Sequence, residues 1–282
     1  MKKFLIIVLI LFAVLVILSV IFAMLHKNIP IGDRIALIRI EGIILDSQET
    51  IDELKEYVED PTVKAIVLRI ESPGGAVAPA QEIYKEVKKA VEKKKVLVSM
   101  GSVAASGGYY IASPATRIIA NPGTLTGSIG VIMEIPNIEG LMNKLGIKTE
   151  VVKSGSYKDI ASIFRGVKKE EKEILQGVLD NVHEQFILAV ADGRSMSAED
   201  VRKIADGRIF TGEQALKAGL VDELGNLQDT FHTAAKLVGI KGEPVIISKK
   251  ERFSLIDLIK GKVSKEWADI FPAVKVKYLF AP

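Results

Sequence analysis

Two side chains in this sequence have the types and the surroundings that catalysis needs. Ser106 lies in the small-residue run 101–110, GSVAASGGYY, and Lys158 lies in the run 153–159, KSGSYKD. A serine hydroxyl is a poor nucleophile until a base takes its proton, and a lysine can be that base once burial has lowered its pKa. The pair predicts a serine hydrolase that needs no histidine.

The histidines give less support to other chemistry. His26 ends an apolar segment, whereas His183 and His232 fall in helix-like stretches, and none of the three lies beside a glycine-rich turn. We interpret them as solvated or hydrogen-bonded helix residues rather than as catalytic bases or metal ligands. We therefore expect neither a Ser-His-Asp triad nor a metal or cofactor.

The amino terminus has the pattern of a membrane anchor. From Phe4 to Leu25 the chain is apolar apart from Ser19, with Lys2 and Lys3 before it. At ~1.5 Å per residue a helix of this length can cross the ~30 Å hydrocarbon layer, and no convincing cleavage site follows it. The pattern predicts one uncleaved transmembrane helix, with the N-terminus in the cytoplasm and the rest of the chain outside.

Composition limits what can follow the anchor. About 250 of the 282 residues remain, which is enough for one large domain or two small ones. Cysteine is absent, which excludes disulfides, zinc-thiolate sites and a cysteine nucleophile. The formal net charge of +3 is mild and does not indicate a nucleic-acid partner.

Strand-like runs alternate with helical ones along the rest of the chain. The runs 34–40, 65–70 and 96–100 are rich in Val, Ile and Leu, and apolar residues recur at helical spacing between 80 and 91. Further strands are predicted at 118–120 and 148–152, a long helix at 169–191, and two more helices at the capping pairs Ser197 with Asp200 and Thr211 with Gln214. The alternation predicts an α/β fold with a sheet covered on both faces.

Glycine-rich turns follow two of these strands. Ser72-Pro73-Gly74-Gly75 comes after the strand ending near residue 70, and Ser106-Gly107-Gly108 comes after the next one. Glycines let the backbone turn sharply and can leave N–H groups facing outward, as an oxyanion requires. A third cluster, at residues 123–130, adds hydroxyl groups that could contact a lysine amine.

Together these motifs resemble those of the signal peptide peptidase A group of the S49 serine peptidase family, in its short single-repeat form. The resemblance covers residues 34–239 and rests on order and spacing as well as on the residues themselves. It is carried by SPGG at 72–75, GSVAASGGYY at 101–110, TGSIG at 126–130, KSGSYKD at 153–159, DGRIFTG at 206–212 and AGLVD at 218–222.

The resemblance implies a role for each matching residue. Ser106 would be the nucleophile and Lys158 the general base, and Ser128 would orient the lysine amine. The N–H groups of Gly74, Gly75 and Gly107 would form the oxyanion hole. Two positions depart from the usual family pattern: Ile163 stands where proline is usual, and Glu71 stands where Asn or Asp is commoner.

The resemblance also implies the fold, the assembly and the substrates. The family fold is the ClpP/crotonase-like spiral of ββα units, and its members form ring- or dome-shaped homo-oligomers at the membrane. They degrade apolar remnants of signal peptides and other unfolded segments. The chain would comprise a stub at 1–3, the anchor at 4–25, a linker at 26–33, the peptidase domain at 34–240 and a C-terminal arm at 241–282.

A lysine base imposes a strong physical requirement. An ordinary lysine has a pKa of ~10.4, so accepting a proton near pH 7 requires a downward shift of ~3 units. We expect apolar burial of Lys158 to supply that shift.

The end of the arm has two interpretations. Residues 273–280, AVKVKYLF, alternate like an exposed strand and are preceded by two helix-like stretches between 253 and 271. The simpler interpretation is an arm that packs on the domain or contacts another copy. The alternative is that this strand lies in the catalytic groove as a plug or self-substrate.

Three other functions remain open at this point. A crotonase-like acyl-CoA enzyme would need carboxylates at the reacting centre, for which Glu71 and Asp159 are the nearby candidates. A catalytically silent scaffold would need no reactive serine. A stomatin-associated membrane protease usually has further C-terminal spans, and none is seen after Leu25.

Overall fold

The computed structural model describes residues 10–19, 33–249 and 276–279, the last of these by backbone only. It divides into two units, one before Arg34 and one from Arg34 onward, which are described separately. In the first unit residues 10–19 form a helix, α1. No helix among the described residues has the length and apolarity to cross a bilayer, and most of the predicted span 4–25 lies outside them.

The second unit is a mixed α/β domain built on a central sheet. Six parallel strands lie in the order β10-β1-β2-β4-β5-β9, while β6 pairs in parallel with the end of β4 and antiparallel with β8. The strands are β1 Arg34–Glu41, β2 Val63–Ser72, β4 Lys95–Ala105, β5 Arg117–Ala120, β6 Leu125–Gly127, β8 Ile209–Thr211, β9 Glu223–Leu224 and β10 Val245–Ile247.

Helices connect and cover these strands. They are α2 Gln48–Glu59, α3 Val77–Lys93, α4 Gly107–Ala112, α5 Glu139–Lys144, α6 Lys169–Arg194, α7 Ala198–Ile204, α8 Gly212–Lys217 and α9 Leu227–Leu237. The predicted capping residues begin their helices as expected: Ser197 accepts the N–H of Asp200, and Thr211 and Gln214 form a reciprocal capping box.

Each face of the central sheet is buried against helices. Alternate strand residues such as Ile38, Leu68 and Val98 join the core formed with α2, α3, α4 and α6. The intervening residues, such as Leu37 and Val67, pack with α9 in a second core. This two-sided burial explains why the strands are almost continuously apolar, and it confirms the predicted covered sheet.

A small second sheet lies beside the first. It consists of β3 Gly74–Ala76, β7 Ile132–Met133 and β11 Val276–Leu279, with β11 in the middle and antiparallel to both neighbours. The predicted strand-like end of the arm is therefore a strand over residues 276–279. The helix-like stretches predicted between 253 and 271 lie outside the described residues.

One strand prediction was wrong. Residues 148–152 have no regular structure, and Val151 and Val152 are exposed. The β-branched residues Thr149, Val151 and Val152 favour an extended chain, but no described strand lies alongside to pair with them. The segment is instead part of a surface loop between α5 and α6.

Candidate active site

Ser106 lies in a strained turn between β4 and α4. Its φ of 54° and ψ of −117° are unusual for a residue that is not glycine. Its N–H donates to Gly127 O at 2.8 Å, and its own carbonyl accepts from Tyr110 N at 2.8 Å. Ser106 is 1 % exposed, and its Oγ has no hydrogen-bond partner among the described residues. The turn therefore holds a buried hydroxyl that the fold itself does not use.

Helix α4 fixes this turn firmly in the core. All six of its residues are buried. The Tyr109 hydroxyl donates to Leu220 O at 2.8 Å, and burial raises the pKa of that hydroxyl well above its usual value. The ring of Tyr110 packs against Phe186 of α6 with 4.9 Å between ring centroids. Ser106 thus stands at the start of a short helix that cannot easily shift.

The end of β4 is irregular just before the serine. Ile70 pairs with Met100, whereas Ser72 pairs with Ala104, so β4 carries two more residues than β2 across this interval. The Glu71 carboxylate bridges the bulge by accepting the N–H groups of Ser102 at 2.8 Å and Val103 at 3.0 Å. These bonds stabilise a bulge that the strand ladder alone would leave unpaired.

The turn at residues 72–75 packs beside the serine turn. Ser72 Oγ donates to Gly42 O at 2.6 Å and accepts the Gly74 N–H at 3.1 Å. A Cβ on Gly108 would lie 3.1 Å from Ser72 O, which shows how closely α4 approaches this turn. The Gly74 N–H, a predicted oxyanion donor, is therefore already bonded.

Gly75 presents its N–H differently. Ile44 N donates to Gly74 O, and Ala76 N donates to Ile44 O. Because alternate residues of a strand face opposite sides, the N–H and C=O groups of Gly75 face the other edge of β3, where β11 lies. A Cβ on Gly75 would lie 2.1 Å from Ile44 O, so this position admits only glycine. Gly107 is the first residue of α4, a position whose N–H has no acceptor within the helix.

Ser128 lies close to Ser106 because the residue before it, Gly127, accepts a hydrogen bond from the Ser106 N–H. The N–H of Ser128 donates to Arg208 O at 2.9 Å. Ser128 also has a positive φ, 49°, and is buried. It lines a cavity of about 590 Å³ together with Val131, Ile132 and His183. The structure therefore brings together Ser106, Gly107, Ser128 and the turn 72–75.

Lys158 is not part of this group in a single chain. It is exposed in the surface loop between α5 and α6, and it makes no hydrogen bond to Ser106 Oγ. The burial that was expected from the sequence is absent, because no described element of the same chain covers this loop.

A charged cluster next to Lys158 was missed by the sequence reasoning. Arg165 donates to Asp159 Oδ2 at 2.9 Å and forms a two-pronged ion pair with Glu171, at 2.7 and 2.6 Å. Lys153 also pairs with Asp159. These hydrogen bonds hold the pKa of the Asp159 carboxyl well below its usual range and lower that of Glu171 to about 2. The only signal in the sequence was the position of Glu171 in the first turn of a long helix.

A strained, buried serine after a parallel strand, at the start of a helix and beside glycine turns, places the protein among the serine hydrolases. The model of peptidase family S49 matches residues 88–241. A protein of Synechocystis sp. named as a candidate protease is 46% identical over 213 residues, covering 75% of this chain and 77% of that protein. Protease 4 of Salmonella typhi is 39% identical over 220 residues, covering 74% and 35% of the two chains.

A third relative, from Enterococcus faecium, is named as a candidate signal peptide peptidase. It is 33% identical over 249 residues, which cover 83% of this chain and 72% of the relative. The chain therefore belongs to peptidase family S49 and is a serine peptidase.

Proposed function

We propose that the protein is a membrane-anchored endopeptidase with a Ser106-Lys158 dyad that degrades apolar, unfolded segments such as remnant signal peptides. The observation that carries the proposal is the buried Ser106 hydroxyl, which is held in a strained turn without an internal partner. Strain and an unpaired buried polar group are costly, and they persist where function requires them.

The chemistry would proceed in two steps. Neutral Lys158 takes the Ser106 proton as Oγ attacks the peptide carbonyl, and the protonated lysine then gives a proton to the leaving amine. The N–H groups of Gly75 and Gly107 stabilise the oxyanion. Gly74 can contribute only if its bond to Ser72 Oγ is released. A water activated by Lys158 then hydrolyses the acyl-enzyme.

A second copy of the chain would supply the burial that Lys158 needs. The loop around the lysine exposes large apolar side chains, which a monomer rarely leaves in one region. They are Leu141, Leu145, Ile147, Val151, Val152, Tyr157 and Phe164. We infer that these residues are covered in a homo-oligomer, in which the lysine amine becomes desolvated beside a serine hydroxyl.

The position of β11 supports extended peptides as substrates. It pairs antiparallel with β3, the strand that contains Gly74 and Gly75, and with β7 on the other side. The same edges can bind the backbone of any unfolded chain, as in other cases of peptide binding by strand addition. The C-terminal arm then acts as a plug that a substrate must displace.

The membrane anchor is proposed from the sequence at residues 4–25, followed by a linker at 26–33, a peptidase domain at 34–240 and an arm at 241–282. The parallel sheet with helices between its strands, and the small second sheet beside it, support a ClpP/crotonase-like spiral.

Alkaline extraction of membranes from cells that express the full chain tests the anchor proposed at residues 4–25. Release of the chain into the supernatant would disprove it.

The two carboxylates that an acyl-CoA enzyme would need are both engaged. Glu71 bonds to the N–H groups of Ser102 and Val103, and Asp159 bonds to Arg165 and Lys153. Neither is free to act as an acid or base, so the structure favours the peptidase.

Labelling with a fluorophosphonate probe tests the proposed dyad. We expect wild-type protein to be labelled at Ser106 and Ser106→Ala to be unlabelled. We expect Lys158→Ala to lose peptidase activity by about 10²–10⁴-fold, the usual contribution of a general base. Ser102→Ala and Lys148→Ala, in the same two segments, serve as controls and should keep activity. Full turnover by Lys158→Ala would exclude the dyad, and an unlabelled wild type would indicate a scaffold.

A further inference from the structure

Arg165 uses every N–H donor of its guanidinium within one segment of chain. Nε donates to Asp159 Oδ2 at 2.9 Å, and Nη1 donates to Glu171 Oε2 at 2.7 Å and to Gly166 O at 3.0 Å. Nη2 donates to Glu171 Oε1 at 2.6 Å and to Asp159 O at 3.0 Å. A guanidinium has five N–H groups in a fixed plane, so this geometry is specific to arginine.

Two acceptors of Arg165, Asp159 and Gly166, lie in the loop that carries Lys158, and the third, Glu171, lies at the start of α6. Asp159 directly follows Lys158, and both its side chain and its backbone carbonyl are held. Glu171 lies in the first turn of α6, where its side chain is 2 % exposed and also accepts the Lys168 N–H at 2.9 Å. Arg165 therefore ties the residue beside Lys158 to the beginning of the longest described helix.

Little else fixes the lysine loop. Residues 147–168 contain no helix or strand, and Lys158 itself is exposed. The other hydrogen bonds of the loop either join residues that are close in sequence or lie towards its C-terminal end. At that end Ile138 N donates to Ile163 O at 2.8 Å, and Gly166 N donates to Glu139 Oε2 at 3.2 Å. Ala161, between Asp159 and Arg165, is buried and has a strained φ of 63°.

We propose that Arg165, bonded to Asp159 and Glu171, is a positioning residue that holds Lys158 in the geometry required for proton transfer. This inference rests on the proposed Ser106-Lys158 dyad. The cluster is electrically balanced, because Lys153 and Arg165 offset the Asp159 and Glu171 carboxylates. It therefore fixes the lysine backbone without placing a net charge beside the amine.

Replacing Arg165 by lysine tests this role, because the charge is kept and the fork of donors is lost. We expect Arg165→Lys to lower kcat by about 10- to 100-fold, the usual effect of a misplacement near 1 Å, with KM changed by less than about twofold. Fluorophosphonate labelling of Ser106 should slow in proportion to kcat.

Arg194→Lys is the matched control. Arg194 lies at the other end of α6, is 7 % exposed and pairs with Asp222 at 2.6 Å. Its replacement should lower the thermal midpoint but leave kcat unchanged. If Arg165→Lys and Arg194→Lys have the same kcat at a similar thermal midpoint, Arg165 has no positioning role.

Chemical rescue separates positioning from folding. Added guanidinium should restore part of the kcat of Arg165→Ala and none of the kcat of Lys158→Ala. If Arg165→Lys does not fold, Glu171→Gln replaces it as the test, because the amide keeps one acceptor oxygen for Arg165. We expect its kcat to fall by less than the 10- to 100-fold expected for Arg165→Lys. An unchanged kcat would overturn the proposal. An active Lys158→Ala would instead refute the dyad, whereas an inactive Lys158→Ala with a fully active Arg165→Lys refutes the positioning role alone.

Discussion

Backbone strain is concentrated at residues that the proposed chemistry uses. Among the described residues, those with a positive φ that are not glycine are Ser106, Ser128, Ala161 and Ser195. Ser195 simply ends α6, but the first two form the serine site and Ala161 lies in the lysine loop. Each such conformation costs about 1–3 kcal/mol and must be imposed by its surroundings. At Ser106 those surroundings are the buried helix α4 and the bond to Gly127.

At the scale of one residue, variants of Glu71 test whether it acts as a hydrogen-bond acceptor or as an acid or base. As an acceptor for the Ser102 and Val103 N–H groups, it should tolerate Glu71→Gln with less than about a tenfold loss of activity, because the amide keeps one acceptor oxygen. Glu71→Ala leaves both N–H groups unpaired and should lose more. Peptidase assays of the two variants make the comparison. Equal, complete inactivation of both would instead indicate an acid or base role for Glu71.

The sequence predicted Ser106 as the nucleophile but did not predict the residues that support its turn and the lysine loop. Ser106 stood out because the glycines around it mark a turn after an apolar strand. The roles of Glu71 and Arg165 could not be predicted, since they depend on which backbone groups a bulge and a loop leave unpaired. The exposure of Lys158 was missed for a related reason, because burial depends on what covers a loop, and the loop's own sequence does not contain that information.

At the scale of elements, the beginning of α6 connects the core to the lysine loop. Its C-terminal half buries Phe186 and Val190 in the core, whereas its first turn carries Glu171 beneath the loop. The helix has 26 residues, so it links these two regions rigidly.

The ion pair at this helix end should make stability depend on acid pH. The pKa of Glu171 is lowered from 4.5 to about 2, mainly by Arg165 and then by the Lys168 N–H. A lowered carboxyl pKa contributes stability that is present above pH 4.5 and is lost as the pH falls towards 2. Between pH 6 and 3 the thermal midpoint of wild type should therefore fall more steeply than that of Glu171→Gln. Glu170→Gln, an exposed neighbour, is the control and should behave like wild type.

Most of the predicted elements came from periodicity, and the short helices α7 and α8 from their capping residues, whereas the shortest strands could not be predicted. The strands β1, β2, β4 and β5 and the helices α3 and α6 were found close to their predicted positions, because burial on one or both faces produces a repeated pattern. Strands β3 and β7 have three and two residues, too few for a pattern, and they form only because neighbouring strands pair with them. The segment 148–152 shows the opposite case, a strand-like pattern without a partner.

At the scale of the whole molecule, the glycine strand of the proposed oxyanion site is shared with the C-terminal arm. Leu279 lies opposite Gly74, and Tyr278 lies opposite Gly75. The arm was expected either to pack on the domain or to lie in the catalytic groove. Its pairing with β3 and β7 shows that residues 276–279 pack on the domain, along the strand that contains Gly74 and Gly75, and the role of the arm as a plug stays a prediction.

Removing the arm should therefore open the groove. We expect deletion of residues 273–282 to raise the rate of cleavage of a short apolar peptide, because the substrate no longer competes with β11 for the edge of β3. The control replaces the same residues by a Gly/Ser segment of equal length, which should act like the deletion. An unchanged rate together with unchanged assembly would show that the arm does not block the site.

Strand β11 pairs with β3, a strand that is synthesised much earlier in the chain. The partners Lys277 and Ala76 are separated by about 200 residues, whereas β1 and β2 are joined by a single short helix. Contacts between distant segments form late in folding, because closing a long loop costs more entropy. The edge of β3 therefore stays without its β11 partner until residues 276–279 have been synthesised, long after β3 itself has been made.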